Sequence, residues 1–139
     1  MKNLTKEEQI ALQTIYKENF ELVKEFGKFA FAIVGQGTHP CAYIGMPKGV
    51  GDIIDIDFIN VHGGITYEDD GLHETIPSKY YVIGWDYAHS NDFNTLFNKE
   101  GKIHTINDVL NDIEDVVSQI KDTVEERTYV LQNTDVTGY

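Results

Sequence analysis

The chain has 139 residues, 41% of them apolar and 12% aromatic, enough for one domain with its own core. Acidic residues number 23 against 11 basic ones, and the resulting formal charge of −12 disfavours phosphate backbones and anionic membrane surfaces as partners. A single Cys cannot form an internal disulfide and suits a reducing cytosol. No apolar run approaches the ~20 residues of a membrane span, and MKNLTKEEQI lacks a signal-peptide core, so the expectation is a soluble, cytoplasmic protein.

In chain order, Thr5 with Glu8 three residues on forms a capping-box pattern. Leu12, Ile15, Tyr16, Val23 and Phe26 follow at helical steps, which predicts a helix from Thr5 to Phe26, within an N-terminal segment 1–27 stopped by Gly27. FAFAIVG and PCAYIGM read as two strands around the turn-like GQGTH. Residues 53–61 alternate Ile54, Ile56 and Phe58 against Asp55 and Asp57, predicting a third strand with one wet face, interrupted at Gly63 and Gly64 and resumed at 65–67. The acidic EDDGLHE reads as a loop, and Tyr80 to Trp85 as a central strand. Residues 93–102 are polar and loop-like. Thr105 with Asp108 opens a second helix, 105–124, whose Ile106, Val109, Leu110, Ile113, Val116, Val117 and Ile120 form one stripe. The tail, 125–139, is expected to be loose or an edge strand. No repeat or linker divides the chain. The fold class is therefore α+β, a single domain in which a small antiparallel sheet (28–92) is packed by an N-terminal and a C-terminal helix.

The polar residues that carry chemistry collect in two stretches, NVHGGITYEDDG and GWDYAHSNDF. Asp86, His89 and Asp92 lie at three-residue steps after a strand, a spacing that gathers side chains on one side of a helical turn. Asp86 in that arrangement orients the His89 ring, as carboxylates do beside metals and beside general bases. His62 sits before Gly63 and Gly64, which permit close backbone approach, and converges on the same pocket. Candidate catalytic residues are His62, Asp86 and His89; candidate metal ligands are these and Asp92. Tyr43, Thr66, Tyr67 and Trp85 complete a ligand-binding set with His62, Gly63, Gly64, Asp86, His89 and Asp92, the aromatic rings offering flat surfaces to a planar ligand.

Each feature also has a structural explanation. His-Gly-Gly is commonly a turn, and an Asp at a strand end commonly caps the next turn. Trp85 is first a core residue, and Cys41 a small buried one, since no base neighbours it in sequence. His39, His73 and His104 read as surface residues, and Asp108, Asp112, Asp115 and Asp122 as the solvated face of the last helix.

CAYIGMP, VHGGITY and GWDYAHSND, in this order, make the chain resemble a group of small proteins encoded by tailed bacteriophages and prophages. Those proteins carry Cys-x-Tyr-x-Gly-x-Pro, His-Gly-Gly-x-Thr-Tyr and Gly-x-Asp-x-Ala-His-x-x-Asp segments. The resemblance spans positions 41 to 120 and falls on Cys41, Tyr43, Gly45, Pro47, His62, Gly63, Gly64, Thr66, Tyr67, Gly84, Asp86, Ala88, His89 and Asp92. This chain has Trp85 where the group commonly has Phe, and Tyr87 where many members have Cys, which weakens a thiolate-metal reading. The resemblance implies a phage context in a bacterial cytosol and supplies no mechanism.

Three functions fit these residues. The first is a protein binding a small polar, nucleotide-like ligand in the His/Asp/aromatic pocket, sequestering a host defence signal, with no cofactor required. The second is a hydrolase using a divalent metal or a His/Asp general base in the same pocket. The third is an acidic mimic of nucleic acid that blocks a basic host protein. A homo-oligomer is compatible with all three; direct nucleic-acid or membrane binding is not expected.

Overall fold

The first capping box forms as the sequence predicts: Thr5 Oγ1 accepts from the Glu8 N–H while the Glu8 carboxylate accepts from the Thr5 N–H. The computed structural model describes residues 3–136, and side chains as far as residue 126. Helix α1 spans only Lys6–Gln13, not 5–26. Beyond a turn at 14–17 the chain becomes strand β1, Glu18–Phe26. The helical reading fails because Phe20, Leu22 and Phe26 also fit a period of two, and those three are the partly covered positions of β1. Pairing with β2, Phe29–Gln36, decides between the two periods, and Gly27 at φ 59° makes the two-residue turn between Phe26 and Phe29.

Strand β3, Pro40–Pro47, continues the meander into a short helix α2, Lys48–Gly51. Residues 53–61 do not form the expected third strand. Asp55 accepts from the Asp57 N–H and starts a 3-10 turn, Ile56–Phe58, so the alternating acids satisfy the backbone locally instead of lining a wet strand face. Strand β4, Tyr67–Leu72, lies instead in the acidic stretch read as a loop, and it pairs with β5, Ile76–Asp86. Its exposed Glu68, Asp69 and Asp70 place charge on a sheet edge, which discourages pairing with another chain.

The result is an α+β fold with a five-stranded antiparallel sheet in the order β1-β2-β3-β5-β4. Helix α3, Ile106–Val136, covers one face with the predicted stripe, Val109, Ile113, Val116, Val117 and Ile120. Each fully buried aliphatic side chain contributes about 1.5–3 kcal/mol. The tail from 125 to 136 continues this helix, since no Gly or Pro stops it there; residues 137–139, like 1 and 2, lie outside the described residues. No helix among the described residues is long and apolar enough to cross a membrane.

The other sheet face curls over itself. Ala30, Ala32 and Gly45 are small enough for Ile76 and Tyr80 to pack across them; a Cβ on Gly45 would lie 3.1 Å from both. The β4–β5 turn thereby reaches the far edge, where Thr75 donates to Glu21 at 2.6 Å and the Tyr80 hydroxyl to Glu25 at 3.2 Å.

Candidate functional site

Strand β5 ends where β3 begins, and four of the five histidines gather near that end: His39, His62, His89 and His104. The segment carrying His62 is fixed to α3 by a reciprocal pair, in which the Asn60 N–H donates to Gln119 Oε1 and Gln119 Nε2 donates to the Asn60 carbonyl. A turn closed by Gly64 N–H to Val61 O follows, with Gly63 and Gly64 at φ 71° and 82°. Gly63 also permits close approach: a Cβ there would fall 1.8 Å from His89 Nε2.

Asp92 is the hub. Its carboxylate, 2% exposed, accepts from His62 Nε2 on Oδ2 and from His104 Nε2 on Oδ1, each at 2.7 Å, and from the His89 N–H at 2.9 Å. Loop 93–101 returns the chain beside it, with Phe93 N–H to Lys102 O and Lys102 N–H to Asn91 O. Gly101 makes that closure possible, because a Cβ would lie 2.3 Å from the Asp92 carbonyl carbon. His104, 5% exposed, is anchored by its own N–H donating to the Tyr16 hydroxyl at 2.9 Å. Behind the two imidazoles lies Tyr87, with ring centroids 5.0 Å from His62 and 4.7 Å from His104. Its hydroxyl accepts from Trp85 Nε1 at 3.0 Å and donates to Asp112 at 2.7 Å.

The electrostatics follow from this packing. Burial by itself raises the Asp92 pKa, but the bonds from His62, the His89 amide and His104 outweigh it and hold the carboxyl below its ordinary value. Burial lowers the pKa of His104 against the opposing pull of Asp92, leaving a neutral ring that donates through Nε2. Burial also lowers His39, raises the Tyr87 phenol, and raises Tyr16 to about 12 and the Cys41 thiol to about 11, so that thiol is neutral.

His62 Nε2, His104 Nε2 and an Asp92 oxygen lie within 4.8 Å of one another, the one set of three such groups among the described residues. An adjoining cleft of about 400 Å³ is lined by His62, Lys102, His104, Asp108, Asn111 and Asp112. Two imidazoles and one carboxylate suit Zn²⁺, Mn²⁺ or Fe²⁺ and leave coordination positions open.

Of the residues singled out in the sequence, His62, His89, Asp86 and Asp92 do come together: the His62 and His89 rings are 5.3 Å apart, and His89 Nε2 is 3.5 Å from Asp86. Gly63 and Gly64 shape the turn, and the Thr66 N–H donates to the Gly84 carbonyl. Tyr43 and Tyr67 do not join the cluster. They pack edge to face on the curled side of the sheet, 5.2 Å between centroids, with Tyr43 lying over Gly84. Trp85 is 1% exposed and belongs to the core. His104, read as a surface residue, is a central member, and Asp108 and Asp112, read as part of a solvated face, line the cleft. A signal for His104 was present: it immediately precedes the N-cap Thr105, the position from which a side chain packs against the helix's first turns.

Fold and site together define an α+β domain bearing a two-histidine, one-aspartate cluster at the end of a central strand. No protein-family model, curated protein or solved structure matches the chain.

Proposed function

We propose that the chain is a divalent-metal-dependent hydrolase of a small polar, nucleotide-like ligand, with His62, Asp92 and His104 holding the ion. The observation that carries this is the meeting of their three ligand atoms within 4.8 Å beside a cleft. An ion so held supplies an activated water at neutral pH. The protein's part is positional. The His89 N–H fixes the Asp92 carboxylate, and Tyr16 and Tyr87 fix His104 and both imidazole planes, which is the outer support that metal ligands require. Each imidazole would hold the ion through Nε2 and carry its hydrogen on Nδ1. Lys102 and Asn111, on the cleft wall, supply donors to an anionic or carbonyl group of the ligand.

A second reading is binding without turnover. It is favoured by the two 2.7 Å bonds to Asp92, which leave the cluster self-consistent as a rigid pocket wall with no ion. One experiment separates the two. Chelator-treated protein is titrated calorimetrically with Zn²⁺, Mn²⁺ and Co²⁺, and the loaded protein is incubated with nucleotides, cyclic dinucleotides and ADP-ribose derivatives for mass analysis. The hydrolase requires one ion per chain, loss of that ion in His104→Ala and Asp92→Ala, and cleaved ligand only with metal. A ligand recovered intact after denaturation, from protein indifferent to metal, establishes the second reading instead.

A further inference from the structure

We propose that the curled face of the sheet holds a separate binding site for a small organic cation, an amine or quaternary ammonium group, between Tyr43, Tyr67 and the carboxylates of Glu21 and Glu74. This site lies on the face opposite α3 and is independent of the metal-centre reading.

The cleft there measures about 590 Å³. Its floor is apolar, formed by Val34 and Leu72 with the two tyrosine rings, and its rim carries Glu21 and Glu74 with no Lys or Arg in the lining. Register explains why these residues share one face. Glu21 pairs with Val34, Tyr43 with Gly84, and Tyr67 with Gly84 from the other side, and directly opposed residues of antiparallel strands point the same way. Gly84 makes room for an aromatic wall, since a Cβ on it would lie 2.4 Å from Tyr43 Cδ1. The hydroxyl of Tyr67 is tied to the Gly71 carbonyl at 3.0 Å, so its ring is held in place before any ligand arrives.

The rim is held as well. Thr75 donates to Glu21 at 2.6 Å, fixing the β4–β5 turn over the cleft, and His73 in that turn adopts φ 45°, a conformation uncommon for a side-chain-bearing residue. Aromatic faces with carboxylates at the mouth attract cations through the ring quadrupole and through charge, and the chain's −12 adds a favourable long-range field. The same rim repels phosphates and carboxylates. A neutral apolar ligand would gain from the floor alone.

Choline is the probe, and its neutral carbon isostere dimethylbutanol the control, titrated into the full chain and followed by NMR. Binding at the site moves the choline methyl protons upfield and shifts the Tyr43 and Tyr67 ring protons, and the control binds about fivefold or more weakly. Tyr67→Leu and Glu74→Gln each weaken choline by about fivefold, while Glu7→Gln, outside the cleft lining, leaves it unchanged. If Tyr67→Leu does not fold, the double change Glu21→Gln with Glu74→Gln carries the same test without touching the floor. Equal affinity for the neutral isostere, an equal effect from the distant Glu7→Gln, or no titratable binding each overturns the proposal.

Discussion

Tyr87 shows how much of the candidate metal centre rests on one hydroxyl. Its ring is fully buried between His62 and His104, and its oxygen links Trp85 Nε1 to the Asp112 carboxylate. Tyr87→Phe keeps the ring but strands the buried indole N–H, so thermal unfolding should show a loss of about 1–3 kcal/mol. Zn²⁺ affinity should fall by about tenfold, the scale of losing an outer-shell partner. Stability unchanged in calorimetry would mean that water replaces the hydroxyl. Asp92 and His104 make a second prediction, about pH in the chelated protein. Both have folded-state pKa values below their ordinary ones, so the unfolded chain binds more protons and stability falls as pH drops. For His104 the loss begins as pH falls below its ordinary value of 6.5 and is complete below its lowered folded value; for Asp92 it begins below 3.8. Melting temperature should therefore decline as pH falls through 6.5, and His104→Gln should reduce that decline.

At the level of elements, the start of α3 joins the fold to the site. Thr105 Oγ1 accepts from the Asp108 N–H and Asp108 accepts from the Thr105 N–H, a reciprocal cap one residue after His104. Thr105→Ala should cost about 1 kcal/mol of stability and Thr105→Ser almost nothing, measured by urea unfolding. Because the first turn of α3 sets the His104 backbone, the Ala variant should also weaken metal binding while the Ser variant does not. The elements that the sequence discloses are of this kind, with local chemistry and periodicity agreeing: both caps, β2, β3, the central β5 and the stripe of α3. Those it conceals depend on pairing. Glu18–Phe26 fits two periods, and only the hairpin with β2 chooses between them. Tyr67–Leu72 is acidic because it is an edge, and a sequence read one segment at a time mistakes that protection for a loop. The same division holds in the candidate site. His62, His89 and Asp92 stand out by spacing and by neighbouring glycines, whereas His104 enters through the closure of loop 93–101, a long-range event with no periodic signal.

Over the whole molecule, nine of the 23 acidic residues behind the formal charge of −12 fall in three settings with different consequences. Asp92, Asp108 and Asp112 are engaged by donors at the cluster and the cap; Glu68, Asp69 and Asp70 guard an edge; Asp122, Glu125 and Glu126 lie exposed along the later turns of α3. Only the last set tests whether charge by itself is the working feature, as in an acidic mimic of nucleic acid. Reversing Asp122, Glu125 and Glu126 to Lys adds two charges at each position and takes the formal charge from −12 to −6. Asp122 lies fourteen residues along the helix from Asp108, roughly 21 Å at the helical rise. That is well beyond the screening length of about 8 Å at 0.15 M salt and within the roughly 30 Å that applies at 0.01 M. Co²⁺ affinity at the cluster should therefore stay within about twofold of the parent at the higher salt and fall modestly at the lower, where the lost negative field is still felt. His104→Ala should abolish it at both, since it removes a ligand and not a field. If instead the triple reversal eliminated the protein's effect in cells while His104→Ala spared it, the acidic surface would be the functional element and the histidine cluster its scaffold.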